Sequence, residues 1–515
     1  MASVMGPAAV RAVALPLVFA VLLCGGPAAW AHTPKTKSFA KLHKKIDRLL
    51  ERTGLDSENT ALMLFSTRRG RFLYRLREQQ PMIAASNAKL VTAYASLRVL
   101  GPNYRWKTVF YRVTEQDDAG GRSRQGLLVK GGGDPTLTLR TLERIALKLK
   151  TKDLRRIEGG LYFDASLFDH VKFPAAWGSA LGGQAWFAPV SPFIVEKNTA
   201  SFVITAGKNG NGIEVIPEIQ ADFLKVTSRL KSSPVKRAVV RVLQSWNGEG
   251  ALFTFRGKLP AKSNTYRVST AINDPVVNFY HHLRSSLHRI GIEGDMPRRR
   301  LPAGGMPSKR IHTHYSAPLR ELLVDVNKES NNLAAEVMVR AMGLTRKTKG
   351  VTGADGLKVL RAALFEELPK FKGKVEMADG SGLSRDTRLS ASFLVHMLNR
   401  VLRRQDFRAE YLSSLSLAGW DGTLRYRNYP KHMRGQIRAK SGTLAGVQNL
   451  SGYLTLKKDV VVFSFLINDS DQHYLKLQAK QDRALAGVFD ALLEWENPKT
   501  RNKSKGKRRI RRRGR

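Results

Sequence analysis

The texture of the chain changes twice, and that change most limits what it can fold into. From Thr60 to about Asn103 the sequence reads as a hairpin followed by a helix. From Tyr104 to about Pro302 it reads as short alternating strands separated by Gly, Pro and Asn turns, closed by a helix over Val276 to Ile290. After that, helices and long apolar strands return. Ends that share one texture around a middle with another predict a single α+β domain interrupted by an insert. The expected pieces are a catalytic domain over 32–103 and 303–497, and a mainly β insert over 104–302.

The end segments are legible in some detail. Ala61 to Phe65 and Arg71 to Leu76 alternate as two strands, with Arg68, Arg69 and Gly70 at the turn. Leu90, Ala93, Tyr94, Leu97 and Leu100 recur at helical spacing, and Gly101-Pro102 should stop that helix. Helices are expected over Leu319 to Val326 and Leu333 to Met342. Strands are expected over Gln436 to Ala439, Leu450 to Leu456 and Val460 to Ile467, and a last amphipathic helix over Tyr474 to Glu494. The apolar fraction of 42% is enough for a buried core.

The first 31 residues stand apart. A nearly uncharged start with Arg11, an apolar run from Ala14 to Leu23 and the small-x-small end Ala29-Trp30-Ala31 have the layout of a secretory leader. The run is too short to span a bilayer, which needs about 20 residues. The only cysteine, Cys24, falls inside this leader, so cysteine catalysis and thiolate metal sites are excluded from the mature chain. Leu23 fits poorly before a lipidated cysteine.

The net charge is +45, of which the 11 basic residues of the tail 498–515 and Arg11 supply 12, leaving +33 on the body. Such a chain seeks polyanions. Inside a cell that would suggest nucleic acid. For an exported chain the partners are anionic envelope polymers or lipid headgroups, and no nucleic acid is expected. A disordered tail that only adds solubility is the simpler alternative.

Three short motifs carry chemistry. Ser86-Asn87-Ala88-Lys89 is a Ser-x-x-Lys at the start of an apolar helix, which puts both side chains on one face and Ser86 at the positive end of the helix dipole. Burial there would make Lys89 a neutral base. Four other Ser-x-x-Lys sequences, at Ser38, Ser228, Ser233 and Ser504, lack that setting. Ser330-Asn331-Asn332 is a Ser-x-Asn in a short link between helices, a place where Ser and Asn also serve as caps. Lys440-Ser441-Gly442-Thr443 leaves a strand. Gly442 would let a substrate backbone approach, and the lysine and hydroxyls could hold a carboxylate. The ordered set is the signature of penicillin-binding proteins and class A β-lactamases.

Further stretches sharpen this: Tyr315 to Leu319, Asp379 to Arg385, Ala418 to Leu424, Ser451 to Tyr453, and Gly131 to Leu137 in the insert. With the motifs they resemble the D-alanyl-D-alanine carboxypeptidase/endopeptidase family, the class C low-molecular-mass penicillin-binding proteins of penicillin-binding protein 4 type. The resemblance runs from about Lys45 to Glu494, with Ser441 where the family usually has threonine. It implies a penicillin-recognising serine peptidase fold, an antiparallel sheet flanked by helices. It implies that Ser86 forms an ester with peptidoglycan peptides and with β-lactams, that Lys89 takes the Ser86 proton, and that Ser330 relays a proton to the leaving amine. Asn332 would hold the substrate amide, and the backbone N–H groups of Ser86 and Thr443 would form an oxyanion hole. Lys440, Ser441 and Thr443 would bind the carboxylate. Asp164 matches an insert position near the substrate's side-chain amine, although a turn aspartate explains it as well.

No metal or cofactor is implied. His281-His282 and His312-x-His314 read as surface pairs. A β-lactamase is the nearest rival, and the 244 residues between Ser86 and Ser330 argue against it. A non-catalytic binder of envelope polyanions is the other, and Ser86, Lys89 and Lys440 argue against that. The leader layout places the chain outside the cytoplasm, in the periplasm or associated with the envelope, and association with further copies stays open.

Overall fold

In the computed structural model, residues 36–496 are described, apart from 117–122, 179–182, 207–211, 234, 236–237, 247–249, 261–264, 303–305 and 307. The expected leader with Cys24 and the basic tail lie outside the described residues.

The two ends of the chain meet in one sheet. Its six strands run in the order Ser416–Leu417, Ile437–Leu444, Val447–Thr455, Val460–Asn468, Thr60–Ser66, Arg71–Leu76, and every neighbouring pair is antiparallel. Thr60 pairs with Ile467 and Ser66 with Val461, so the N-terminal hairpin completes a sheet begun by the last strands.

Alternation within Thr60–Ser66 explains why both faces are covered. Ala61, Met63 and Phe65 point to one core with Leu90, Tyr94, Leu323, Met338 and Phe393. Leu62 and Leu64 point to the opposite core with Leu42, Ile46, Leu50, Leu485 and Leu492. All seven residues of this strand are buried. The first face carries the helices Ala88–Leu100, Leu319–Asn327, Asn332–Gly343 and Ala391–Leu402; the second carries Thr36–Thr53 and Tyr474–Glu496. The Ala88–Leu100 helix ends at Gly101, whose φ of 79° only glycine adopts readily and whose N–H bonds Leu97 O.

The middle of the chain forms three further sheets. One has five strands in the order Arg298–Arg299, Leu161–Asp164, Ser123–Lys130, Lys107–Gln116, Ser308–Tyr315. The helices Leu139–Thr151 and Pro275–Arg289 pack on it through Leu142, Ile145, Phe279 and Leu283. Two three-stranded sheets share Phe202, Phe253 and Phe255. Ser308–Tyr315 pairs along Lys107–Val113, so the chain stays with this sheet beyond Pro302. Its basic sequence, Ser-Lys-Arg-Ile-His-Thr-His-Tyr, carries no apolar alternation, because it pairs through its backbone at a half-exposed edge.

His281 and His282 correct the surface expectation. They lie on the Pro275–Arg289 helix against Phe223, His281 stacked on its ring and His282 buried. Burial pushes both imidazoles down to about 4.

The Thr36–Thr53 helix closes one core from outside, with Ile46 fully buried. Ile46→Ala should cost about 2–5 kcal/mol of unfolding free energy, read as a lower urea midpoint at unchanged slope. A midpoint equal to wild type would mean that this helix is not packed on the sheet.

Candidate active site

The site is built around a strained turn. Ser86 sits in the 3₁₀ turn Ala85–Asn87, just before the Ala88–Leu100 helix, and Ala85 has φ 45°. Neighbouring strands hold this turn by polar side chains. Asn449 Nδ2 donates to Ile83 O at 2.8 Å and Ala84 O at 2.9 Å, and Asn468 Oδ1 accepts from Ile83 N at 2.6 Å. Asn87 Nδ2 donates to Ser451 Oγ at 2.8 Å. Two glycines let other segments press on it. A Cβ at Gly382 would sit 1.8 Å from Ala85 O, and one at Gly442 would sit 3.0 Å from Ser86 N.

Three stretches far apart in sequence converge on the Ser86 hydroxyl. Lys89 Nζ lies 2.9 Å from Ser86 Oγ and is fully buried. It also donates to Asn332 Oδ1 at 2.6 Å and Ser381 O at 2.7 Å. As an ammonium it has three N–H donors for these three oxygens. Once that proton is lost, Asn332 and Ser381 hold the two remaining hydrogens and the lone pair turns to Ser86. On the other side, Ser330 Oγ donates to Ser86 Oγ at 3.0 Å, and Lys440 Nζ donates to Ser330 Oγ at 2.9 Å and Ser441 O at 2.9 Å. Lys440 is thus linked through Ser330 to Ser86 Oγ, which Lys89 contacts from the other side.

Burial sets the charge states. Desolvation lowers the Lys89 amine to about 7, against the pull of Asp379 and Glu336, which favour its charged form. Lys440 is lowered well below the usual lysine range by desolvation and by repulsion from Lys89. Desolvation, then the Asp379 charge, raises the buried Glu336 carboxyl to about 7.

Glu336 and Asp379 hold the Ser381 carbonyl that Lys89 needs. Glu336 Oε1 accepts from Gly380 N at 3.0 Å and Ser381 N at 2.8 Å. Asp379 accepts from Gly382 N at 3.0 Å, Ser384 N at 3.1 Å, Ser381 Oγ at 2.9 Å and Thr387 Oγ1 at 2.6 Å. Trp177 Nε1, from the middle of the chain, donates to it at 3.0 Å. Sequence reasoning singled out Asp379 to Arg385 without a role and did not reach Glu336. The dense Gly and Ser around Asp379 was the available signal, since such residues crowd where one carboxylate gathers backbone donors.

Lys440 to Thr443 lie inside the Ile437–Leu444 strand rather than beyond it. Lys, Ser and Gly are poor strand formers, but the backbone pairs Lys440 with Ser451 and Thr443 with Gln448. Ser441 Oγ donates to Thr423 Oγ1 at 2.7 Å, and Thr443 Oγ1 to Gln448 Oε1 at 3.0 Å. Ser86, Ser330, Asn332 and Thr443 line a cleft of about 800 Å³, walled by Trp186, Leu383 and Tyr474. Asn332 Nδ2 donates to Trp186 O at 2.9 Å, so that residue is tied both to Lys89 and to the cleft wall. Asp164 does not line the cleft. Its Oδ1 accepts from Ser166 N at 3.0 Å, and Lys130 Nζ is 3.9 Å from Oδ2. Among the described residues no group of three or more His, Cys, Asp or Glu is placed to hold a metal.

The family described as D-Ala-D-Ala carboxypeptidase 3 (S13) matches residues 42–488. A D-alanyl-D-alanine carboxypeptidase of Actinomadura sp. (strain R39) is 27% identical over 470 residues, 88% of this chain and 86% of that relative. The D-alanyl-D-alanine carboxypeptidase DacB of Haemophilus influenzae is 24% identical over 405 residues, 78% of this chain and 83% of that relative. The crystal structure of penicillin binding protein 4 from Haemophilus influenzae matches with a TM-score of 0.74 at 21% identity, covering 87% of this chain and 99% of that one. The expected serine peptidase fold is therefore the observed one.

Gly382→Ala should displace the Ala85 carbonyl and with it the Ser86 turn. Labelling by a fluorescent penicillin should fall at least ~10-fold while far-UV circular dichroism is retained. Full labelling would show that the turn is not fixed by this contact.

Proposed function

The chain belongs to the D-Ala-D-Ala carboxypeptidase 3 (S13) family, and from that premise we propose how its residues perform serine-type D-alanyl-D-alanine peptidase chemistry. The observation that carries the reading is the fully buried Lys89 amine 2.9 Å from Ser86 Oγ, with Asn332 Oδ1 and Ser381 O placed to hold its other hydrogens.

Neutral Lys89 accepts the Ser86 proton as Oγ attacks the carbonyl carbon of the penultimate D-alanine. The carbonyl oxygen becomes negative, and the backbone N–H groups of Ser86 and Thr443 receive it. Loss of one such donor typically costs about 10²–10³ in rate. As the C–N bond breaks, Ser330 gives its proton to the leaving amine and takes up the one held by Lys89, which leaves Lys89 neutral for the next step. Water then attacks the ester, with Lys89 again as the base.

Thr443 on the cleft wall receives the substrate carboxylate, with Ser441 and Lys440 behind it. A carboxylate there favours charge on Lys440, and repulsion between the two amines then keeps Lys89 neutral. A β-lactam follows the same path to a stable ester. Asn332 orients Lys89 and the wall of the cleft. Asp164 is a turn residue in this reading, because its carboxylate caps Ser166 N.

The reading extends to the whole chain. The leader at 1–31 exports the protein to the periplasm, the two ends form the catalytic domain around the insert, and wall peptides are the substrate. The basic tail and the +33 body suit an anionic envelope surface.

Ser86→Ala should lose penicillin labelling and D-alanine release by at least ~10³-fold while folding normally. Retained release would remove Ser86 from its role. Acylation should also follow pH with the sign of a neutral base. The rate is low where Lys89 is protonated, rises through about pH 7 and then levels. Glu336→Gln removes a charge that favours protonated Lys89, so the inflection should move to lower pH. An inflection near the usual lysine value, or an upward shift in Glu336→Gln, would contradict the assignment of the base.

A further inference from the structure

The turn that carries Ser330 is itself strained. Ser330 has φ 60°, a left-handed conformation costly for a side-chain-bearing residue. Its position is fixed from two sides. Towards the sheet, Lys328 Nζ donates to Asp421 Oδ2 at 2.6 Å, and Lys328 O accepts from Thr423 N at 3.1 Å. Towards the middle of the chain, Asn331 N bonds Asp325 O at 3.2 Å, and Asn331 Nδ2 donates to Asp325 Oδ2. Asn331 Oδ1 also caps the next helix by accepting from Ala334 N at 3.0 Å. Asp325 thus governs the residue that follows Ser330.

The other oxygen of Asp325 meets a second strained turn. Lys197 Nζ donates to Asp325 Oδ1 at 2.6 Å. Lys197 is the middle of three consecutive left-handed residues, Glu196, Lys197 and Asn198, with φ of 48°, 58° and 51°. None is glycine, so the turn persists only because its surroundings over-determine it. Glu196 Oε1 accepts from Leu139 N at 2.8 Å, and the fully buried Asn198 donates to Pro189 O at 3.1 Å. Two of the three side chains are thus turned inward to hold the turn. Lys197, about half exposed, is the one that leaves it. The pair spans the edge of a cleft of about 220 Å³ lined by Glu196, Lys197, Glu321 and Asp325. An exposed ion pair contributes little to stability, so stability alone is a poor reason to keep a strained turn that presents one.

We propose that Lys197 and Asp325 are positioning residues for Ser330: the middle segment of the chain reaches across with a lysine and sets the catalytic turn through Asp325 and Asn331. The inference rests on the reading of Ser330 as the proton-relaying hydroxyl. It predicts that the insert is needed for the rate of acylation as well as for substrate contacts.

The test measures acylation by benzylpenicillin in the full-length enzyme, separating the limiting rate from the binding constant. Lys197→Ala and Asp325→Asn should each lower the limiting rate about 10-fold, with the binding constant and melting temperature little changed. The double variant should lose no more than either single change, because both act through one contact. Lys197→Arg, which keeps a cation on Asp325 and leaves the Asp325–Asn331 contact intact, should recover part of the rate lost in Lys197→Ala, a rescue that a purely structural defect would not give. Arg289→Ala, which breaks an exposed ion pair with Glu143 elsewhere in the middle segment, should acylate like wild type. Ser330→Ala separates the two ideas. If it is slow while Lys197→Ala is wild type, the positioning role is wrong and the relay stands. If Ser330→Ala is as fast as wild type, the relay itself is wrong.

Discussion

The site depends on burying two amines side by side. Lys89 and Lys440 are both fully buried and lie on opposite sides of the same serine pair. An ion taken out of water costs several kcal/mol even after relaxation, and a second like charge nearby adds to it. The protein answers with stoichiometry rather than with counter-ions in contact. Lys89 faces two fixed acceptors and one hydroxyl, a set that satisfies the amine with or without its third proton. Asp379 and Glu336 stand behind it, directed at backbone N–H groups, close enough to keep its pKa from falling further. The result is a lysine poised near neutrality, which is what a base for a serine hydroxyl requires.

That arrangement explains the architecture around it. Lys440 comes from the Ile437–Leu444 strand, Lys89 from the helix on one face of the sheet, and Ser330 from the link between two helices on that face. A sheet that joins the first and last strands of the folded body fixes all three to one frame. The contacts of the middle of the chain with the same frame include Trp177 on Asp379, the Trp186 carbonyl on Asn332, and Lys197 on Asp325. Asn332 touches Lys89 directly, Asp379 holds the Ser381 segment whose carbonyl does, and Asp325 holds Asn331 beside Ser330. The middle segment therefore contacts the residues around Ser86 and Lys89, besides contributing Trp186 to the wall of the cleft.

What the sequence disclosed follows from what is local. The N-terminal hairpin, the Ala88–Leu100 helix with its Gly101 stop, and the last strands have strong periodicity and clear turns. The three motifs were legible because their chemistry is carried by residue identity in a fixed order. The unread parts are non-local. Glu336 sits mid-helix among apolar neighbours, and only the fold reveals that its Oε1 accepts from Gly380 N and Ser381 N. The Ser308–Tyr315 strand pairs by its backbone and shows no pattern. The histidines of the Pro275–Arg289 helix read as surface because two adjacent polar residues carry no sign of the Phe223 ring above them. Lys197 is one basic residue among many, and its meaning lies in three consecutive positive φ angles.

The central claim is that Lys89 gives up its proton near pH 7 in the resting enzyme, far below an ordinary lysine. It is tested most directly by ¹⁵N NMR of lysine-labelled protein, with the Lys89 signal assigned by its loss in Lys89→Met. The account predicts that this side-chain nitrogen titrates near pH 7, well apart from the surface lysines. A Lys89 signal that stays charged up to the range of ordinary lysines, about 10.4, would contradict it.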